Sequence, residues 1–233
     1  MRSNRDGTKP SISVNKLAEH IASKAARQRA ILAQRKYPDQ DFNVGMYHRE
    51  AAETVARYLA DGAIDPTPIL NRMKILEQMT PEKVGTARRI NANLDALDRF
   101  AGMLDKIDLC GATPQLGEHS PPKLIYHEVS ISVRPEIILR GKGPKGKVCV
   151  GAIKCHFSSS HPHTEETAGY VSAAVQEWCR RFVAKDDEIT NPAYCQVLDI
   201  ASGTAYPGVK ATIQRMKDIE SECLNIKALW ESI

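Results

Sequence analysis

The sequence contains no apolar stretch that approaches the roughly 20 residues needed to cross a bilayer, which argues against a transmembrane helix. The first residues, Met1 to Pro10, are too polar to form the apolar centre of a secretory signal peptide. We therefore expect a cytoplasmic protein that has no membrane partner.

The sequence also lacks any CxxC pair, the spacing that is typical of zinc sites and thiol redox motifs. In a cytoplasmic chain, scattered cysteines usually stay reduced and pack as small hydrophobic side chains. We expect this of the six cysteines, which are Cys110, Cys149, Cys155, Cys179, Cys195 and Cys223.

Positive charge is unevenly distributed along the 233 residues, whose net charge is +4. Between Met1 and Lys36 there are nine Lys or Arg residues but only two acids, Asp6 and Glu19. A second basic group lies on a Gly-rich hairpin and consists of Arg140, Lys142, Lys145 and Lys147. Such groups suit the phosphate backbone of a nucleic acid, although a solvated helix face and a soluble loop would explain them equally well.

Residues 1–108 predict an N-terminal helical region that begins with about ten disordered residues. Ser13 is a suitable N-cap for a first helix, which we expect to continue to about Lys36. Apolar periodicity predicts three further helices, from about Gly45 to Ala60, from Thr67 to Met79 and from about Pro81 to Leu104.

Residues 109–233 have the character of an α/β core. A connection from Leu109 to Lys123 is followed by strand-forming sequence, first in one bent strand or two successive strands and then in a single strand. Next come a loop, a helix that Thr164 can cap, a further strand and a final helix. The boundaries that we expect are Leu124 to Leu139, Lys147 to Phe157, Thr164 to Val183, Ala193 to Ala205 and Val209 to Ile233. The fold class is therefore α/β (α+β), a mixed sheet flanked by helices, and the two regions are expected to form one compact unit.

Glu136 directly after Pro135, and Lys154 near the end of the next strand, resemble the core of the PD-(D/E)XK nuclease superfamily. In that superfamily, an acid after a proline and an acid-x-lysine triplet hold a divalent metal ion against a phosphodiester. The resemblance implies a restriction-endonuclease-like core with the order α-β-β-β-α-β. The sequence departs from the pattern at Ala152, where the family has Asp or Glu.

Three further motifs resemble the RecB-like exonuclease branch. Ser11 to Leu17, followed by Arg27 and Arg29, is similar to the opening helix of that branch. Gly45 to His48 looks like its Gly-His element, in which the imidazole binds the metal ion. Glu166 to Tyr170 keeps the spacing of its Gln-x-x-x-Tyr motif with Glu in place of Gln.

The resemblance implies a site that binds Mg²⁺ or Mn²⁺ through His48, Glu136 and Glu166, with Lys154 near the scissile phosphate and Tyr170 positioning the substrate. Glu165 is an alternative to Glu166 as the second acid. The residues expected to contact DNA are Lys24, Arg27, Arg29, Arg140, Lys142 and Lys145. Some relatives hold an iron–sulfur cluster, but the cysteine spacing does not support one. The spacing of His156, His161 and His163 matches no ligand set, and we expect these residues in a loop.

Two functions follow from this interpretation. The first is a metal-dependent DNA nuclease of the kind found in phages and mobile elements. The second is a catalytically inactive nuclease-fold protein that binds nucleic acid or serves as an assembly subunit, and Ala152 is the main argument for it. An unrelated α/β protein in which Glu136 and Lys154 match by coincidence is a third alternative.

Overall fold

The computed structural model describes residues 9–38, 47–143 and 146–233. Two short 3₁₀ helices, Leu104–Lys106 and Pro192–Tyr194, accompany the longer elements. The helices are α1 (Val14–Ile21), α2 (Ala25–Lys36), α3 (Arg49–Ala60), α4 (Thr67–Glu77), α5 (Val84–Ala101), α6 (Glu165–Phe182) and α7 (Ile213–Ser232). The strands are β1 (Ser11–Ser13), β2 (Thr113–Leu116), β3 (Leu124–Tyr126), β4 (Val129–Ser132), β5 (Ile137–Lys142), β6 (Val148–His156), β7 (Ile189–Thr190), β8 (Gln196–Asp199) and β9 (Thr204–Tyr206). Within the described residues, every helix is too short or too polar to cross a membrane.

The main sheet has the strand order β2-β5-β6-β8-β9, and β7 pairs with the first half of β6. Strands β2, β5 and β6 are antiparallel neighbours, although β3 and β4 lie between β2 and β5 in the chain. After β6, α6 leads to β8, which is parallel to β6. The mixed sheet flanked by helices, expected from the sequence, is confirmed. A small second sheet of order β1-β4-β3 is formed where β1 pairs in parallel with β4.

The main sheet separates two apolar clusters because successive side chains of a strand point to opposite faces. Ala152 and Val197 belong to the first cluster, with α1, α2, α6, α7 and the small sheet. Ile153 and Leu198 belong to the second cluster, with α3, α4 and α5. The N-terminal helices are therefore divided between the two faces of the sheet.

Four segments differ from the expectations. The first predicted helix is interrupted between α1 and α2, where the Ser23 hydroxyl donates a hydrogen bond to the carbonyl oxygen of Glu19 and Lys24 is extended. The expected connection from Leu109 to Lys123 contains β2, where Pro114 is tolerated because β2 is an edge strand.

The strand-rich segment after this connection forms three strands, β3 to β5, instead of one or two. His127 and Glu128 adopt positive φ at the turn between β3 and β4, and Arg134 does so before β5. The strand expected from Ala193 to Ala205 is instead the β8–β9 hairpin, and Gly203 at φ 64° permits its turn.

Candidate functional site

Glu136, directly before β5, lies opposite Lys154 of the neighbouring strand β6. The register places Ile137 against Ile153, so the preceding residue, Glu136, meets Lys154 on the face covered by α1 and α6. The Lys154 ammonium donates to Oε1 of Glu136 at 2.8 Å, and the backbone N–H of Cys155 donates to Oε2 at 2.7 Å. Both carboxylate oxygens of Glu136 are therefore already bonded within the protein.

The turn before β5 supplies a second acceptor for the Lys154 ammonium. Arg134 has φ 41°, a left-handed conformation that is strained for a residue with a side chain. Its carbonyl oxygen accepts a hydrogen bond of 2.9 Å from Lys154 Nζ. An ammonium has three N–H groups, and this carbonyl and Glu136 engage two of them. Because the Lys154 side chain is 12 % exposed, its third N–H can reach a ligand at the surface.

Ala152, at the position of the missing acid, is completely buried in the first apolar cluster. It lies opposite Ile138 in the sheet and packs in the same cluster as Ala168 and Val171 of α6. The methyl group therefore continues the apolar core up to the Glu136–Lys154 pair.

Glu166 does not contact the Glu136–Lys154 pair and lies exposed in the first turn of α6. Its charge acts on Tyr170, one turn further along the same face of the helix. The Tyr170 hydroxyl donates to Asp218 of α7 at 3.1 Å, and burial raises the pKa of Tyr170. The pattern of Glu166 and Tyr170 thus faces α7. Glu165 is also exposed, and its charge acts on Tyr206 of β9.

His48 lies on the other side of the sheet. Its ring stacks on Phe157 with 6.0 Å between the centroids, and Phe157 packs against the second apolar cluster. Burial lowers the pKa of His48, and the backbone of Ala92 in α5 opposes this effect. Gly45 and Met46, the start of the Gly-His element, lie outside the described residues.

The expected ligand set for Mg²⁺ or Mn²⁺ does not assemble. Glu136 is bonded to Lys154 and Cys155, Glu166 faces α7, and His48 packs on α5. In the described part of the chain, no group of three His, Cys, Asp or Glu side chains is placed to hold a metal ion. The residues present therefore do not fit a divalent metal site.

A charged cluster on α1 and α2 adjoins the carboxyl end of β6. Glu19 accepts hydrogen bonds from Lys16 at 2.5 Å and from Arg27 at 2.8 Å, and His161 lies 3.5 Å away. Burial alone would raise the pKa of Glu19, but the bonds from Lys16 and Arg27 lower it overall. Asn15 joins this cluster to β6 through a 3.1 Å bond to the carbonyl oxygen of Cys155.

The residues expected to contact DNA divide into two groups. Lys24 and Arg29 are exposed on α2, and Arg27 is bonded to Glu19. Arg140 pairs with Glu188 at 3.2 Å and with the carbonyl oxygen of Val183, and Lys142 is exposed at the end of β5. Lys142 pairs with Val148, six residues before Lys154, so the hairpin lies about 20 Å from the pair. Lys145 is outside the described residues.

His156 and His163, which the sequence places in a loop, are buried beside Lys154. Their ring centroids are 4.3 Å apart, and burial lowers the pKa of His156 and lowers that of His163 to about 3. Asp199 is fully buried and accepts a 2.6 Å hydrogen bond from the backbone N–H of His163. The signal in the sequence was the spacing of two residues between Lys154 and His156, which places both on one face of β6.

The six cysteines are free, and five of them are buried, as expected of reduced thiols. Complete burial raises the pKa of Cys155 well above its usual value, so this thiol beside Lys154 is protonated at neutral pH.

No protein-family model matches the chain, and no curated protein is significantly similar to it.

Proposed function

We propose that this chain is a nuclease-fold protein that binds nucleic acid without cleaving it. The observation that carries this proposal is the closed Glu136–Lys154 pair, in which both carboxylate oxygens accept hydrogen bonds from the protein itself. A catalytic metal ion would need these oxygens together with a second carboxylate nearby. The position of that second carboxylate holds a buried alanine.

The strand topology supports the relation to the nuclease superfamily. In the main sheet, the antiparallel strands β2, β5 and β6 are followed by α6 and the parallel strand β8, which matches the β-β-β-α-β order that the resemblance implies. The chain adds β3 and β4 between β2 and β5, and the short β7 before β8. Glu136 and Lys154 also lie on the two strands where that superfamily carries its acid and lysine. We infer that the chain retains the scaffold and two of its polar positions.

Nucleic-acid binding is supported by the basic surface beside the pair. The segment from His20 to Pro38 contains five Lys or Arg residues and no acid. We call Lys16, Lys24, Arg27 and Arg29 the α1–α2 basic face. Glu19 neutralises part of it, but Lys24 and Arg29 have no ion-pair partner in the described residues. Lysine and arginine side chains release counterions when they meet phosphates, which gives affinity without sequence preference.

The Lys154 ammonium extends the α1–α2 basic face toward the sheet. Burial lowers the pKa of His156, and the positive charges of Lys16 and Lys154 lower it further. A strand that follows the basic face would bring a phosphate to the unbonded N–H of Lys154. This arrangement holds a phosphodiester but supplies no activated water to attack it.

Fluorescence anisotropy with labelled single-stranded DNA, duplex DNA and RNA tests the binding. Reversal of two charges by Lys24→Glu and Arg29→Glu should weaken binding at least tenfold and lower the salt dependence. The matched control is Arg57→Glu with Lys74→Glu, the same change of charge on exposed residues of α3 and α4. Equal affinity of the two double variants would refute the assigned surface.

A cleavage assay with the same labelled substrates in Mn²⁺ tests the absence of catalysis. We expect the native chain to release no more product than a Lys154→Ala variant. Cleavage that requires Mn²⁺ and is lost in Lys154→Ala would overturn the non-catalytic proposal and favour the metal-dependent nuclease.

A further inference from the structure

A groove lies beyond the carboxyl ends of β6 and β8, on the side of α5. Its cavity volume is about 290 Å³, close to the lower end of the roughly 300–1,000 Å³ typical of small-ligand pockets. Where two parallel strands are joined by a crossover helix, as β6 and β8 are by α6, ligands commonly bind at this edge of the sheet. The groove is separate from the α1–α2 basic face, which covers the opposite face of the sheet.

One face of α5 presents four polar side chains to this groove. Arg88, Asn91, Asp95 and Arg99 are spaced by three or four residues, so they form a stripe along the helix. The core face of the same helix is formed by Ile90, Leu97 and Phe100. A polar stripe facing a concave surface is available to a ligand.

The two arginines of the stripe have different roles. Arg99 donates a hydrogen bond to the carbonyl oxygen of Ala201, which fixes it at the end of β8. Arg88 is exposed and has no hydrogen bond or ion pair with any described residue. A guanidinium presents a planar array of donors that matches a phosphate, so the unpaired Arg88 suits an anionic group. Arg99 lies eleven residues further along α5, about 16 Å away along the helix axis, at the other end of the stripe.

The opposite wall of the groove is aromatic. Phe157 follows β6, stacks on His48 and lines the cavity with it. Flat apolar walls of this kind suit a planar ring, and stacking of a nucleobase on an aromatic side chain contributes about 1–3 kcal/mol.

His48 supplies a hydrogen-bond acceptor that the protein leaves unused. Its Nδ1 is shielded from water and has no partner in the described part of the chain. One of the two nitrogens of a neutral imidazole is a hydrogen-bond acceptor. An unpaired buried polar atom is costly, and a ligand that donates an N–H to it would remove that cost. The exocyclic amino group of a nucleobase is such a donor.

We propose that this groove binds a nucleoside monophosphate group, with the phosphate at Arg88 and the base beside His48 and Phe157. The group is either a free nucleotide or the terminal nucleotide of a nucleic-acid strand, since both present the same base, sugar and phosphate. This site is additional to the α1–α2 basic face, and its existence does not depend on binding there.

Isothermal titration calorimetry with the four ribonucleoside 5′-monophosphates and their 2′-deoxy forms tests the proposal. At least one should bind with a Kd below about 1 mM, while inorganic phosphate and the free nucleoside bind at least tenfold more weakly. Arg88→Gln should weaken binding about tenfold, and Arg88→Lys should restore part of it. Arg57→Gln, an exposed arginine on α3 outside the groove, is the matched control and should bind as the native chain does.

A free nucleotide and the terminal nucleotide of a strand are distinguished by competition. A 5′-phosphorylated and a 5′-hydroxyl dinucleotide are each tested as competitors of the bound monophosphate. Competition by the phosphorylated form alone identifies the end of a strand, whereas no competition by either identifies a free nucleotide. The proposal is overturned if none of the eight nucleotides binds, if phosphate alone binds as tightly, or if Arg88→Gln and Arg57→Gln bind equally. Because these ligands are too short to span the α1–α2 basic face, the outcome is independent of the long-strand binding assays.

Discussion

The Glu136–Lys154 pair should stabilise the folded protein, and a double-mutant cycle measures by how much. The two charged groups are 2.8 Å apart, and their side chains are only 17 % and 12 % exposed. Exposed ion pairs contribute about 0–1 kcal/mol, whereas removing one partner of a fully buried pair costs about 3–5 kcal/mol. A pair with this intermediate burial should therefore lose about 2 kcal/mol of unfolding free energy in either single variant, Lys154→Met or Glu136→Gln.

The double variant should lose about 2.5 kcal/mol instead of the sum of about 4 kcal/mol, because the second substitution removes a group that is already unpaired. Urea denaturation at pH 7 and 25 °C measures the unfolding free energy of all four proteins. At constant slope m, the shift of the midpoint urea concentration gives the differences in that free energy. Lys147→Met is the matched control on the same strand pair. Its side chain is exposed, so it should change stability by less than about 0.5 kcal/mol.

Additive losses, within about 0.5 kcal/mol, would show that the two residues do not interact and would refute the closed pair. A gain of stability in either single variant would contradict the prediction that the pair stabilises the fold. It would instead favour a catalytic role, since catalytic residues often lower stability.

Two further predictions concern the buried histidine and a close backbone approach. Burial lowers the pKa of His163 to about 3 from 6.5, so its contribution to stability is complete above pH 6.5 and is lost as the pH falls toward 3. At pH 5 the native chain should have lost about 2 kcal/mol of unfolding free energy relative to pH 8 through this residue, and His163→Gln should lack this loss in urea denaturation at the two pH values. An equal pH dependence of both proteins would contradict the assignment. Gly151→Ala should lower the unfolding free energy by about 2–3 kcal/mol, because the new Cβ would lie 2.3 Å from Cβ of Tyr194. Gly85→Ala on α5 is the control, since its new Cβ meets no atom within 4 Å and should not destabilise the protein. Similar melting temperatures for these two variants would show that Tyr194 can move away.

The sequence predicted the local features of the fold better than the meeting of distant residues. Ser13 and Thr164 cap their helices as expected, because capping depends on a few adjacent residues. The contact between Glu136 and Lys154 was also predictable, since a hairpin of known strand lengths fixes which residues face each other.

The rest of the expected site depended on how helices pack, which local pattern does not determine. The rotation of α6 turns Glu166 and Tyr170 toward α7, and His48 precedes a helix that packs on the other face of the sheet. The expectation that Arg27 is available for DNA missed its bond to Glu19, because the break after α1 folds α2 back onto it. These errors share one cause, since one residue pattern fits several helix orientations.

Ala152 stands at the position where the nucleases that the sequence resembles carry an acid, and introducing an acid there tests whether the Glu136–Lys154 pair can become a metal site. Residue 152 shares a face of β6 with Lys154 and lies diagonally across from Glu136, a separation of about 7–8 Å between backbones. Ala152→Asp would bury a carboxylate in the first apolar cluster, and Ala152→Asn would bury a neutral group of the same size. In the absence of metal, both substitutions should lower the unfolding free energy by at least about 3 kcal/mol.

If the chain lacks only this one ligand of a nuclease site, Mn²⁺ should stabilise Ala152→Asp and leave Ala152→Asn and the native chain unchanged. At 10 mM Mn²⁺ and a Kd of about 1 mM, linkage gives about 1.4 kcal/mol, or roughly 3–5 °C in Tm for a chain of this size. Differential scanning fluorimetry with and without Mn²⁺ measures the shift. Equal responses of the Asp and Asn variants would mean that Glu136 cannot be drawn from Lys154 to a metal ion. The Glu136–Lys154 pair would then be a structural ion pair that no single substitution converts into a metal site.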